Sequence, residues 1–256
     1  MELLSPREVA TFALTLLDLT NLREDCDAAA IETLCRRAQT PHGATAAICI
    51  WPRFVAQART ILGEAHPVKI ATVVNFPSGE LPVAAVVDET RQAIADGADE
   101  IDLVIPYRAF LAGNEAAVTE MVSAVRAACP SACLKVILET GELKDSGKVR
   151  RASELAIEAG ADFIKTSTGK VSVNATLEAA DIMLQAIRDS RKKVGFKPAG
   201  GIATVADADL YLRLAETIMG ANWLMPSTFR FGASGLLDDI LATIAGTAGP
   251  RAATGY

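Results

Sequence analysis

The chain has 256 residues, 50% hydrophobic and 22% charged, and its 25 Lys and Arg against 31 Asp and Glu give a formal net charge of -6. That length can bury one large α/β core or two small ones, and the acidic balance disfavours nucleic acid or an anionic membrane as the main partner. No apolar run reaches the ~20 residues of a membrane helix, the N-terminal MELLSPREVA lacks the layout of a secretion signal, and five cysteines without a C-x-x-C pair argue against a disulfide framework; a reduced, cytoplasmic protein is expected.

Ser5-Pro6-Arg7-Glu8 combines a capping hydroxyl, a first-turn proline and a reciprocal carboxylate, which predicts a short leading helix. β-rich runs follow at 14–20, 45–51, 68–76, 100–106, 133–140, 162–168, 193–201 and 221–225. Several, such as IDLVIP and LKVIL, are continuous apolar runs, as expected for strands buried on both faces. Helical spacing separates them, for example Ile31/Leu34/Cys35/Ala38, Val118/Met121/Val122/Val125 and Leu237/Ile240/Leu241/Ile244. Asn114, Asn174 and Thr204 stand where N-caps belong, and Gly97, Gly160, Gly220 and Gly246 where helices should stop. Eight βα units in this length predict a single-domain (β/α)8 TIM barrel over residues 1–256, with a short extra N-terminal helix and a loose tail from about 246.

In such a barrel, equivalent heights on successive strands recur about every thirty residues, and functional groups gather at the strands' C-terminal ends. Asp18, Cys49, Asn75, Asp102, Lys135, Lys165 and Lys197 follow one another at about that interval, each late in a predicted strand. Charge inside an apolar strand is expensive unless paired, so a set aimed at one barrel mouth reads as an active site, although strand ends also carry polar residues merely for solvation.

Lys165 and Lys197 are the informative pair, because strands six and seven should be neighbours about 4.8 Å apart. Two amines about 4 Å apart repel by about 4 kcal/mol at an effective dielectric of ~20, enough to favour loss of one proton. A neutral amine is what carbonyl attack requires, and the resulting iminium is an electron sink for cleaving a C–C bond. A single lysine more often snorkels to solvent, but that reading suits a pair on adjacent strands less well. Asp102 is expected to orient a water or shuttle protons, a structural ion pair being the alternative, and Cys49 reads as a small filler without chemistry, since the only histidines are His42 and His66.

Barrels commonly hold phosphate on the loops after strands seven and eight and a helix N-terminus. Gly200-Gly201 ends strand seven, Ser234 opens the last helical pattern, and Gly169-Lys170 follows strand six, so together they are expected to enclose a dianion.

LLDLTNL from Leu16, TAAICIWPRF from Thr45, IATVVNFP from Ile70, GADEIDLVIPYRAFLAGN from Gly97, LKVILETGEL from Leu134, ADFIKTSTGK from Ala161, VGFKPAGG from Val194 and RFGASGLL from Arg230 span nearly the whole chain. By these motifs the sequence resembles the deoxyribose-phosphate aldolase family. The resemblance implies a class I aldolase, without cofactor or metal, that reversibly cleaves 2-deoxy-D-ribose 5-phosphate to D-glyceraldehyde 3-phosphate and acetaldehyde in deoxyribonucleoside breakdown. It implies Lys165 as the Schiff-base lysine, Lys197 as the amine that perturbs it, and Asp102 as the acid/base partner. Asp18, Thr20, Cys49, Lys135, Thr166, Gly169, Lys170, Gly200, Gly201 and Ser234 are then expected around the substrate, and a homodimer is expected. Two departures touch the phosphate end: Gly235 follows Ser234 where a second serine is frequent, and Ala203 stands where a basic residue often follows the double glycine. Loss of one such donor predicts a hold on phosphate weaker by ~1 to 3 kcal/mol. Tyr256 ends the tail, and its contribution of a phenol to the site is weighed against simple disorder, with disorder favoured. A zinc aldolase is disfavoured by the scarcity of histidines, an isomerase by the lysine pair, and a non-catalytic phosphosugar-binding barrel stands as the alternative.

Overall fold

The computed structural model describes residues 4–247, so the reading of Tyr256 lies outside the described residues. The chain opens with helix α1 (Pro6–Thr15), started by the expected capping box, in which the Glu8 N–H donates to Ser5 and the Ser5 N–H donates to the Glu8 carboxylate. It then alternates through β1 (Leu17–Asn21), α2 (Ala28–Arg37), β2 (Ala47–Ile50), α3 (Val55–Leu62), β3 (Lys69–Val74), α4 (Val83–Ala95), β4 (Glu100–Val104), α5 (Tyr107–Leu111) and α6 (Glu115–Ala128). The second half continues with β5 (Cys133–Ile137), α7 (Thr140–Leu143), α8 (Ser146–Glu158), β6 (Phe163–Lys165), α9 (Leu177–Ser190), β7 (Gly195–Lys197), α10 (Val205–Met219), β8 (Phe231–Ala233) and α11 (Leu236–Ala245). A two-residue hairpin, Gln39–Thr40 with Gly43–Ala44, lies between α2 and β2.

All eight strands are parallel, in the order β8, β1, β2, β3, β4, β5, β6, β7. Bridges Phe196↔Phe229 and Ala199↔Gly232, with the Gly232 N–H donating to the Pro198 carbonyl at 2.9 Å, join β7 to β8 and close the barrel. The expected (β/α)8 architecture is therefore what the chain adopts.

The alternation within strands sorts the interior into two regions. Outward residues such as Ile48, Ile70, Ile101, Leu103, Leu134, Val136 and Ile164 pack against the helices in one continuous core. Inward, β2 and β3 supply a small apolar cluster of Cys49, Ala71 and Val73, joined by Leu22. Most of the other inward groups are ionic, with Asp18, Glu100, Asp102, Lys135, Lys165, Lys197 and Arg230 all buried.

Three expectations need correction. The first strand begins at Leu17 rather than residue 14, because Leu14 shares the buried face of α1 with Val9, Ala10 and Ala13, and the helical period prevails there. The eighth strand is Phe231–Ala233, whereas residues 221–223 form a 3-10 turn and Met225 is exposed. The true strand was hidden by inward Arg230 and Gly232, which give the run a polar look. The α9 N-cap is Thr176, whose hydroxyl accepts from Ala179 N–H at 3.1 Å, not Asn174; Asn114 and Thr204 do cap α6 and α10.

Gly195 illustrates how the barrel makes room for its ionic layer. It pairs in register with Phe163, and a Cβ there would sit 2.4 Å from the Phe163 ring. The absent side chain lets that ring fill the layer beneath Lys165 and Lys197, with the Arg230 guanidinium 5.9 Å from its centre. Gly195→Ala is therefore expected to destabilise the protein by ~1 to 3 kcal/mol through overpacking. Urea denaturation is the check, and a change below ~0.5 kcal/mol would show that the layer can yield.

Candidate active site

The strands set the site by register. Lys165 on β6 stands directly opposite Lys197 on β7, and Asp102 on β4 directly opposite Lys135 on β5, all pointing inward. Lys165 Nζ donates to Asp102 Oδ2 at 2.7 Å, and Lys197 Nζ donates to that same oxygen at 2.7 Å. The two amines are thus at most twice that distance apart, with one carboxylate oxygen between them. Gly232 on β8 leaves the path open for Lys197, since a Cβ there would approach its Cε to 3.1 Å.

Beneath this trio lies a supporting lattice. Lys197 Nζ also donates to Asp18 Oδ2 at 2.5 Å, and Lys135 Nζ donates to Asp102 Oδ1 at 3.1 Å and to Glu100. Arg230 spans Asp18 at 2.6 Å and Glu100 at 2.9 Å. Three carboxylates therefore face four cations, an arrangement with one positive charge in excess.

Burial alone would neutralise these groups, but the partners outweigh it. Burial pushes the Lys197 ammonium down, yet Asp102 and Asp18 reverse this and hold it above the usual lysine range. Lys135 is held well above its ordinary value in the same way, against burial, by Asp102, Glu100 and Asp18. Burial would raise Asp102, but Lys135, Lys165 and Lys197 keep it well below the carboxylate range; Asp18 is lowered too, by Lys197, Arg230 and Lys135 against burial. The Cys49 thiol is pushed up, by burial first and by Asp102 second, which keeps it protonated and unreactive.

A cavity of about 830 Å³ opens above Lys165. Four cations line it, Lys165, Lys170, Arg23 and Arg37, and among its lining residues there is no carboxylate. In a chain of net charge -6 this segregation marks a site for an anion. Among the described residues no group of three or more His, Cys, Asp or Glu is disposed to hold a metal ion.

Residues 12–240 match the family model described as DeoC/LacD family aldolase. The chain is 72% identical over 257 residues to the deoxyribose-phosphate aldolase of Agrobacterium fabrum, covering 100% of this chain and 99% of that one. The chain belongs to the DeoC/LacD aldolase family. Its fold is similar to that of a putative deoxyribose-phosphate aldolase from Toxoplasma gondii, with a TM-score of 0.87 at 24% identity over 94% of this chain and 96% of that one. It also resembles the deoxyribose phosphate aldolase from Aeropyrum pernix, described as tetrameric, with a TM-score of 0.74 at 25% identity over 93% and 92% of the two chains.

As an aldolase of this family, the chain brings most of its expected site residues to one place. Thr20, Lys165, Gly169, Lys170, Gly200, Gly201 and Ser234 all line the cavity. Lys197 and Asp102 lie directly behind Lys165 and reach the cavity through its amine. Four expected substrate contacts are not lining residues. Asp18 and Lys135 are fully buried in the ionic lattice below. Cys49 sits in the apolar cluster, 3.9 Å from Asp102. Thr166 accepts from the Ala199 N–H at 3.0 Å and so braces the approach to the double glycine. Asn75 lies just past β3 with φ 55, its side chain donating to the Val104 carbonyl and accepting from Leu81 N–H, which makes it a loop brace. Ser234 does not cap α11: Gly235 occupies the N-cap position and no side chain caps the helix.

The sequence reading missed Glu100 and Arg230, which complete the lattice, and Glu139, a buried carboxylate with φ 58. Glu139 accepts from the Thr168 N–H at 3.1 Å and hydroxyl at 2.5 Å, and the Thr168 hydroxyl accepts from the Lys170 N–H at 3.0 Å. It shapes the loop that presents Lys170, whose ammonium ties this loop to the Leu22 carbonyl at 2.7 Å. Burial pushes Glu139 up, with the Thr168 hydrogen bonds opposing. Asn174 also lines the cavity, and its amide oxygen has no hydrogen-bond partner.

Proposed function

We propose that this chain reversibly cleaves 2-deoxy-D-ribose 5-phosphate to D-glyceraldehyde 3-phosphate and acetaldehyde through a Schiff base on Lys165. The observation that carries the reading is the single Asp102 oxygen 2.7 Å from both lysine nitrogens at the floor of a cationic cavity. A lattice with one positive charge in excess is relieved by release of one proton. Lys135, Lys197 and Arg230 are held as cations, and among the lattice amines Lys165 alone meets the cavity, so its nitrogen is the one placed to meet an aldehyde.

The free amine adds to the C1 aldehyde of the open-chain sugar, and loss of water leaves an iminium. Removal of the C3 hydroxyl proton then breaks the C2–C3 bond; its electron pair moves into the iminium to give an enamine, and glyceraldehyde 3-phosphate departs. Protonation of the enamine carbon and hydrolysis return acetaldehyde and the lysine. Asp102 and Lys197, hydrogen-bonded to each other, relay these protons. Lys170, Gly200, Gly201 and Ser234 hold the phosphate. A passive phosphosugar binder would have no use for an amine placed against a buried carboxylate.

No helix among the described residues is long and apolar enough to cross a membrane. A cytoplasmic location suits the free cysteines and the phosphorylated substrate. A single domain and a homodimer complete the proposal; sedimentation velocity measures the assembly. The chemical test is reduction with borohydride in the presence of acetaldehyde. One ethyl group should appear on Lys165 by peptide mass spectrometry, with loss of activity, and an unlabelled Lys165 would sink the Schiff-base mechanism.

A further inference from the structure

We propose that Arg37 is a specificity-determining residue, one that leaves its present carboxylate partner and takes hold of the substrate's phosphate at the first turn of α11. This rests on the phosphosugar reading above and adds to Lys170 a second cation that discriminates phosphate ester from free sugar. Arg37 closes α2, lines the active-site cavity, and its guanidinium is paired with Asp238 in the first turn of α11. Gly235 leaves that helix without a side-chain cap, and Ser234 and Gly235 line the cavity at its start, so the positive end of its dipole lies at the cavity wall, although the Asp238 N–H is already taken by the Gly235 carbonyl at 3.3 Å.

The neighbouring helix start, that of α10, offers an anion less. Ala203 carries no charge, and its N–H and that of Thr204 both donate to Asp207, at 3.1 and 2.9 Å. The next amide, Val205 N–H, is taken by Asp239 at 2.8 Å. The amides at the start of α10 are therefore taken by Asp207 of that helix and Asp239 of α11, which shifts a phosphate beyond Gly200-Gly201 toward the start of α11, where Arg37 already touches the helix. Exchange is easy because the Arg37–Asp238 pair is exposed, with side-chain accessibilities of 40% and 72%, and exposed pairs bind weakly. Arg23, the other arginine of the lining, likewise forms an exposed pair, with Asp25 at 2.8 and 2.7 Å; what sets Arg37 apart is that its partner lies in the first turn of α11. Small residues at 203 and 235 and an arginine at 37 thus form one device, with the cation supplied from the end of α2.

Opposite signs in two variants test this. Arg37→Ala should raise KM for 2-deoxyribose 5-phosphate by about 10- to 100-fold, as expected for loss of a charge-assisted bond, with a much smaller change in kcat. Asp238→Asn should lower that KM, because it removes both the competing partner and a negative charge beside the phosphate. Arg37→Lys should fall between wild type and alanine, and Arg36→Ala, whose arginine pairs with Glu32 on α2, should change nothing. A purely structural ion pair would shift Arg37→Ala and Asp238→Asn in the same direction. That result, or a KM within about twofold of wild type for Arg37→Ala, would overturn the assignment. Titration with inorganic phosphate keeps the two readings apart: wild type that releases no acetaldehyde sinks the activity, whereas phosphate affinity unaltered by Arg37→Ala sinks the role of Arg37.

Discussion

Lys165→Leu is expected to reduce acetaldehyde release by roughly 10⁴- to 10⁶-fold while leaving the fold as stable as before. The activity follows from the absence of any substitute: among the amines of the lattice, only the one on β6 reaches the cavity. The stability follows from charge. Removing one buried member of an ion pair usually costs ~3 to 5 kcal/mol, because a charge is stranded. Here the lattice has four cations for three carboxylates, and Asp102 keeps Lys135 and Lys197 when Lys165 is gone. Leucine also replaces the buried methylenes with a side chain of similar bulk. Guanidinium denaturation should place the variant within ~1 kcal/mol of wild type, and borohydride with acetaldehyde should no longer label it. A variant that keeps turning over, or one that unfolds, would contradict the reading of Lys165 as the surplus charge.

The surplus itself was only partly visible in the sequence. Lys165 and Lys197 stood out because a thirty-residue rhythm put both at the end of apolar strands, and the register confirms that they face each other. What the rhythm could not give was the carboxylate oxygen between them, since repulsion of two bare amines and a bridge through Asp102 look alike in a string of letters. Lys135 kept the same rhythm yet fell level with Phe163, too low to line the cavity, because strand tilt in a barrel sets height by register and not by distance along the chain; Asp18 kept it too and is buried against Lys197 and Arg230. Asn75 kept the rhythm as well and turned out to brace a loop.

The fold was legible where local and global preferences agree. Capped amphipathic helices and doubly buried strands announced seven of the eight βα units. The eighth failed because Arg230, just before β8, and Gly232 within it face the inside of the barrel, so the polarity that normally marks a loop here marks the interior. Glu139 escaped notice for a related reason: its role depends on a left-handed backbone turn, and ETGEL carries no glycine at the position that adopts it.

Asp102→Asn should show both faces of the lattice at once. Asparagine keeps the shape but turns one of two acceptor oxygens into a donor, which then confronts an ammonium; the lattice is left with two carboxylates for four cations. Loss of ~3 to 5 kcal/mol at neutral pH is expected, with a fall of about 10² to 10⁴ in turnover from the missing proton carrier. The pH dependence gives the sharper test. Asp102 is held well below its ordinary value when folded, so the unfolded chain binds its proton first as the medium turns acidic. Its stabilisation is complete above the unfolded value and drains away as pH falls toward the depressed folded one. The gap in unfolding free energy between wild type and variant should therefore be flat above about pH 5 and narrow steadily below it. Urea titrations across that range decide the matter. A gap that widens on acidification would mean that Asp102 enters the fold protonated, and a protonated Asp102 could neither bridge two lysines nor take the proton that frees one of them.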